Sequence, residues 1–390
     1  MHLVQKAALF FFILIPIFCL AEIPRVSLLT CGPGDELYTT FGHSGIRIKH
    51  DATNYDVVYG YGTFDFRQPN FYVKFCQGKL MYYLSVTSFD RFMAEYSHFK
   101  RNVDEQILDL DSTQTYAIIE YLENNISGDS KFYKYDFFFD NCSTRIRDII
   151  EIEYDEKWLS EVDNRSYRNL LDEKTVPLVW SDFGIDIVIG AVADKPYDFR
   201  TQMFLPDYLK EQFSHASIGG KELVKEERIL LRFAEENEIR SQPPFITPFK
   251  VFASLFLVFL LLFFSKQTWA QKTFNLFSFT WILGMTLCFL IISLLWFFTD
   301  HLATKSNWNL LWMSPLFVVL LFRFKGYVQG RIKNWIPIFI IGLNVLTILT
   351  WSFIPQQFHL AFLPMMLINV IVCLHFVRKN QKVILSSHKA

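Results

Sequence analysis

The sequence predicts an exported α+β domain followed by an all-α bundle of five transmembrane helices. Three observations predict it. The N-terminus carries Lys6, an apolar run from Ala7 to Leu20, and small residues around Ala21, the pattern of a cleaved secretory signal. Residues 22–245 mix charge with short alternating apolar stretches, whereas 246–390 is nearly continuous apolar sequence broken by short basic loops. The chain therefore divides into a signal peptide (1–21), an exported domain (22–245) and a membrane domain (246–390). The overall charge of -1 averages two unlike parts and excludes nothing by itself, but no soluble stretch gathers the basic residues a nucleic-acid partner would need.

Five apolar segments follow Phe249: 249–264, 274–298, 308–322, 335–354 and 358–377. Lys266 and Lys272 follow the first, Arg323, Lys325, Arg331 and Lys333 the third, and Arg378, Lys379, Lys382 and Lys389 the fifth. The intervening loops hold Lys305 and, at 355–357, no Lys or Arg. Positive-inside orientation makes the basic loops and the C-terminus cytoplasmic, and leaves the 299–307 loop outside with residues 22–245. The signal peptide demands the same orientation.

Along the exported domain, 25–30 reads as a strand and 31–36 as a turn. Residues 44–49 alternate as a half-buried strand, 51–54 turn, and 55–61 return, so His43 opens a hairpin. Residues 64–75 are rich in aromatics and broken by Pro69 and Asn70. Strand 80–87, helix 89–99 and strand 106–110 follow, and Asp111 or Ser112 caps the next helix. Residues 131–139 are extended. A helix then starts at Cys142, burying Ile146, Ile149 and Ile150. Beyond Ser160 the signals weaken: 176–192 reads as a buried helix or two strands, 221–239 as an exposed charged helix, and 241–244 as a hinge.

The chemistry concentrates at Cys142. A thiol at a helix N-terminus faces unpaired N–H groups and the positive end of the dipole, which favour the thiolate nucleophile. Its base is His43, and a His base needs an orienting partner, for which Tyr59, Tyr61 and Asp65 on the returning strand are candidates. Asn141 either orients the loop or caps the helix, and Arg145 either pairs with Asp148 or meets a lipid phosphate. The exported domain keeps Cys31, Cys76 and Cys142. In an oxidising compartment an odd number leaves either a Cys31–Cys76 disulfide with Cys142 free, or three free thiols.

A strand opening on His and a later Asn-Cys at a helix start resemble a circularly permuted papain-like fold, as in permuted cell-wall peptidases and lecithin:retinol acyltransferases. The motifs are Phe41-Gly42-His43-Ser44-Gly45-Ile46 and Asp140-Asn141-Cys142-Ser143. With Tyr61-Gly62-Thr63-Phe64-Asp65-Phe66, the run from Tyr135 to Arg145, Asp300-His301, and Asn307-Trp308-Asn309-Leu310-Leu311, the chain is more specifically similar to the Lnb-type bacterial lipoprotein N-acyltransferases. That resemblance implies an enzyme of the bacterial cytoplasmic membrane with its catalytic domain on the periplasmic side. It would transfer a fatty acyl chain from a phospholipid, through a Cys142 thioester, to the α-amine of a diacylated lipoprotein. It favours Tyr61 as the third catalytic member; Asp300, His301, Asn307 and Asn309 either anchor a lipid headgroup or satisfy loop backbone groups at the interface.

No cofactor is implied, and neither a His-Glu-x-x-His nor a paired Cys-x-x-Cys pattern points to a metal. Two other function classes use the same residues. A membrane-tethered cysteine peptidase or amidase would act on cell-wall peptides with water as acceptor. A catalytically inactive membrane scaffold would need neither His43 nor Cys142.

Overall fold

The computed structural model describes residues 22–34, 36–152, 163–197, 199–218, 220–233 and 244–387. The expected signal peptide and most of the 241–244 hinge lie outside them.

The N-terminal domain is built on a seven-stranded sheet. In chain order the strands are β1 (Arg25–Cys31), β2 (His43–His50), β3 (Tyr55–Thr63), β4 (Met81–Ser88), β5 (Val103–Leu108), β6 (Phe132–Lys134) and β7 (Val224–Leu231). They lie in the order β7-β5-β1-β2-β3-β4-β6, and every pairing is antiparallel. The hairpin predicted after His43 is present, with Ile46 opposite Tyr59 and Asn54 in the left-handed conformation its turn requires.

Both faces of the sheet are covered, as the period-two alternation of apolar residues dictates. Val26, Leu28, Ile46 and Ile48 pack on one side with Cys142, Ile146, Ile149 and Ile150 of the helix Cys142–Ile152. Leu29, Cys31 and Val58 pack on the other with Phe92 and Tyr96 of Phe89–His98. Asp111 caps the helix Ser112–Ser127 in a capping box with Gln114. Arg47, buried at the centre of the sheet, ties β2 to Asp56 on β3 (2.6 and 2.8 Å) and Glu105 on β5 (3.0 Å).

Two local expectations change. Residues 224–231, read as charged helix, form the edge strand β7, where their exposed Lys, Glu and Arg side chains deter further strand pairing. Residues 179–188, left open between helix and strands, are helical.

The C-terminal region is helical. Thr268–Phe298 and Phe362–Val383 are long and apolar enough to cross a membrane, while Pro248–Phe264 and Trp335–Leu349 are shorter apolar helices. The third expected span is not one helix. It divides into a 3-10 turn at Trp308–Leu311 and a short helix at Leu316–Phe322, interrupted where Ser314-Pro315 starts a new turn, and a further short helix at Phe324–Val328 follows it. The fourth ends at Leu349 rather than 354.

The two parts are bolted together by the loop that follows the long helix Thr268–Phe298. Asn307 Nδ2 donates to the carbonyls of Ile187 and Val188 (2.9 and 3.0 Å), and Asn309 Nδ2 to those of Asp186 and Ile187 (3.0 and 3.1 Å). They thereby satisfy carbonyls that the end of helix Val179–Val188 would leave unpaired. The Gly190 and Ala191 amides donate to Ala303 and Ser306, in an approach so close that a Cβ on Gly190 would lie 2.0 Å from the Lys305 carbonyl oxygen.

Candidate active site

Helix Cys142–Ile152 starts where the sequence places it, and Asn141 is the reason. Its Oδ1 accepts from the Ser143 and Thr144 amides (both 2.9 Å), which makes it the N-cap. Its Nδ2 donates to the carbonyls of Phe137 and Phe204 (both 2.8 Å), locking the cap to a distant turn. Of the two roles left open by the sequence, Asn141 fills both: its Oδ1 caps the helix and its Nδ2 holds the loop that leads into it.

The helix start brings Cys142 to His43 at the head of β2. The thiol is buried, and the His43 imidazole, the Ser44 backbone and the Ser143 hydroxyl are the groups that act on it. The Ser143 Oγ lies 3.9 Å from the sulfur and 3.0 Å from the Ser44 Oγ. Burial alone would raise the thiol's pKa, but the charge and hydrogen bond of His43, the Ser44 backbone and Ser143 outweigh it and hold Cys142 below the ordinary thiol range. The other two thiols differ. Cys31, wholly buried against Tyr96, is pushed up to about 12, and Cys76 is exposed at the end of the helix Phe71–Cys76.

The expected Cys31–Cys76 disulfide is therefore absent. Both thiols are free, one inside the core between sheet and helix and the other at the surface.

The three candidates for a partner to His43 are engaged elsewhere. Tyr61, the favoured one, donates its hydroxyl to Asn125 Oδ1 (2.8 Å) on the neighbouring helix. Tyr59 pairs with Tyr55 (3.2 Å), and Asp65 binds Arg67 through both oxygens (3.0 Å each). Side chains alternate along a strand, so adjacency in sequence to the hairpin did not place them at the imidazole. A polar side chain the sequence reading did not place in this region is Ser85, whose Oγ bonds Thr63 Oγ1 (2.7 Å) and donates to the Gly60 carbonyl (3.2 Å). His43 Nε2 lies 3.5 Å from the point where a Cβ on Gly60 would sit, and the Ser85 Oγ of β4 lies 3.7 Å from that point. Only strand pairing of Gly60 with Ser85 reveals it.

The expected lipid ligands are also occupied. Arg145 pairs with Asp140 through two bonds (2.6 and 2.8 Å) and lies 3.6 Å above the Tyr133 ring, so it is committed to the protein rather than to a phosphate. Asp148, its expected partner, meets Arg147 and Arg200 instead. Asn307 and Asn309 are fully buried in the bolt between the two parts, and Asn309 Oδ1 also accepts from Trp312 Nε1 (3.0 Å). His301 Nε2 bonds the Phe75 carbonyl (3.0 Å). All three join protein to protein.

Tyr133 on β6 was also missed. Its ring is sandwiched between Arg145 and the edge of Tyr61, and its hydroxyl is buried with no hydrogen-bond partner among the described residues. The hydroxyl and the Cys142 Cβ lie 4.0 and 3.9 Å from the same point, the site of a Cβ on Gly62. Gly62 itself holds a φ of +88°, so it can present bare backbone there. Burial raises the phenol's pKa, and it stays a protonated donor.

Elsewhere among the described residues, Asp182, Asp186 and His359 could bring metal-type ligand atoms together. Each already has a partner: Arg168 for Asp186, Thr175 for Asp182, and the Ala361 amide for His359 Nδ1.

An antiparallel α+β domain with a thiol and an imidazole at one site is bolted to a set of apolar helices, two of them long enough to cross a membrane, and the family models it matches make it a membrane protein whose N-terminal domain lies outside the cytoplasm. Family comparison makes this particular. Residues 21–173 match the Lnb N-terminal periplasmic domain and residues 240–383 the Lnb transmembrane domain. The chain belongs to the Lnb family. No curated protein and no solved structure gives a significant match.

Proposed function

We propose that this protein is a lipoprotein N-acyltransferase using Cys142 as nucleophile and His43 as base. The carrying observation is the thiol–imidazole pair at a capped helix start, in a domain bolted to the membrane part. The substrate pair, a phospholipid donor and a diacylated lipoprotein acceptor, comes from the family resemblance. The domain is read as a permuted papain-like fold, and the helical region as five spans with the C-terminus cytoplasmic.

His43 accepts the thiol proton as the sulfur attacks a phospholipid ester carbonyl. The tetrahedral oxyanion is met by the Cys142 N–H at the helix start and by the Tyr133 hydroxyl, whose oxygen and the Cys142 Cβ lie 4.0 and 3.9 Å from the Cβ position of Gly62. Collapse breaks the ester C–O bond, and His43 returns its proton to the leaving lysophospholipid oxygen. The lipoprotein α-amine then attacks the thioester, His43 removes the amine proton, and an amide forms as the thiolate leaves.

The test is mass spectrometry of a reporter lipoprotein's N-terminal peptide, in cells lacking their own N-acylating enzyme and supplied with wild type or Cys142→Ala. A third acyl chain on the α-amine with wild type alone is the expected result. A diacyl peptide in both, with normal expression and insertion, refutes N-acylation and turns attention to cell-wall peptides.

A further inference from the structure

An aromatic ladder runs from the thiol to the outer end of the long apolar helix. It begins at Tyr135, whose ring edge lies 3.6 Å from the Gly62 Cβ position that Cys142 also borders. Tyr135 stacks on Tyr82 at 4.6 Å, and Tyr82 meets Phe64 at 5.3 Å. Phe64 contacts Phe66 and Phe71 at 5.0 and 5.9 Å, and Phe71 stacks parallel to Phe75 at 6.4 Å. Tyr135, Tyr82 and Phe64 are half-buried and Phe71 is 8% exposed, while the rings grouped around Phe71 are open: Phe75 is 50% exposed, Phe66 62% and Tyr72 75%. A core would bury its aromatic rings, and a surface meant only for water would not group them.

The exposed end has a fixed address. Helix Phe71–Cys76 is docked at its C-terminal end on the loop after Thr268–Phe298: His301 Nε2 bonds the Phe75 carbonyl, and the Asp300 amide donates to the Gln77 carbonyl (2.9 Å). A Cβ on Gly78 would lie 3.0 Å from the His301 amide nitrogen, so the approach is tight. Asp300 is two residues past Phe298, which is itself largely exposed at the end of an apolar helix of 31 residues. The aromatics thus sit where that helix leaves the apolar layer. Lys74 and Lys79 lie on the same segment and Lys134 pairs with Asp300 (2.8 Å), giving the cationic rim that accompanies aromatic side chains at a lipid headgroup layer.

We propose that residues 64–75 form a membrane-dipping lip that inserts Phe66, Tyr72 and Phe75 into the outer leaflet of the phospholipid bilayer, and that a phospholipid acyl chain reaches Cys142 along Phe64, Tyr82 and Tyr135. The insertion stands on the docking geometry alone, while the acyl track rests on the acyltransferase reading above.

The full chain is reconstituted in vesicles of phosphatidylethanolamine and phosphatidylglycerol, with bimane on Cys76 in a Cys142→Ala/Cys288→Ala background. Quenching by phospholipids brominated high on the acyl chain, with protection from aqueous iodide, is expected; iodide quenching without bromolipid quenching overturns the lip. In a second arm, Phe66→Ser/Tyr72→Ser/Phe75→Ser is expected to lower acyl-enzyme formation from bilayer phospholipid at least tenfold. Acyl-enzyme formation from a water-soluble short-chain thioester, and alkylation of Cys142, should be unchanged. Equal rates from bilayer phospholipid overturn the acyl track. Absence of acyl-enzyme in the wild type from either donor refutes the acyltransferase reading, and bimane quenching still upholds or overturns the insertion.

Discussion

Replacing Asn141 by Ala separates holding the nucleophile from reacting beside it. The substitution removes the acceptor that caps the Ser143 and Thr144 amides and strips the donors from the buried carbonyls of Phe137 and Phe204. Loss of a cap costs about 1 kcal/mol, and each buried carbonyl left unpaired about 1 kcal/mol more. The sum is about 3 kcal/mol of domain stability. For a domain of this size that lowers the unfolding midpoint by about 6–12 °C. Asn141→Asp keeps the cap acceptor and loses only the donors, so it should fall by about two-thirds as much. Scanning fluorimetry of the purified protein in detergent gives the midpoint, and acyl-enzyme formation well below it gives the chemistry. An Asn141→Ala midpoint within about 1 °C of wild type would refute the capping energetics. A loss of acylation beyond about 10²-fold at an unchanged midpoint would make Asn141 a participant in the reaction.

The remaining predictions concern the reacting groups. His43 is the leading influence holding the Cys142 thiol below its ordinary range against burial, so His43→Ala should leave burial dominant, slow iodoacetamide alkylation at neutral pH, and move the alkylation profile to higher pH. An unshifted profile would remove His43 from thiolate stabilisation. Tyr133→Phe deletes the proposed oxyanion donor while retaining the ring under Arg145, and should lower kcat about 10²-fold with KM nearly unchanged; full activity would assign the buried phenol no chemical part.

What was legible in the sequence was local. A helix start at Asn141-Cys142, a hairpin from His43, a capped helix at Asp111 and the buried face of Ile146, Ile149 and Ile150 each follow from a few neighbouring residues, and each is present. The supporting residues were illegible because they arise from pairing between distant strands. Ser85 enters through its register with Gly60, and Tyr133 through a strand of three residues at the edge of the sheet. The partner of Tyr61 was illegible for the same reason: its hydroxyl donates to Asn125, sixty-four residues away along the chain. Charge alternation in 224–231 satisfies an exposed helix and an edge strand equally, and the free edge of β5 decided for the strand.

The residues expected to bind lipid and found binding protein still serve the site through geometry. A soluble domain joined to a membrane part by one chain connection is constrained at one point and can rotate about it. Asn307 and Asn309 engage the end of Val179–Val188, Gly190 and Ala191 engage the same loop, and Asp300 and His301 engage the end of Phe71–Cys76. These contacts lie on separate elements of the domain, so together they restrict rotation as well as distance. Under the proposed acyltransferase reading, the thiol must meet a carbonyl confined to a lipid layer and needs that restriction, because misplacing reacting atoms by about 1 Å can cost about 10²-fold in rate. Buried side-chain amides are suited to such a joint because backbone carbonyls saturate their donors. Breaking one leaves unpaired polar atoms in a dry contact, whereas a surface ion pair could exchange with water.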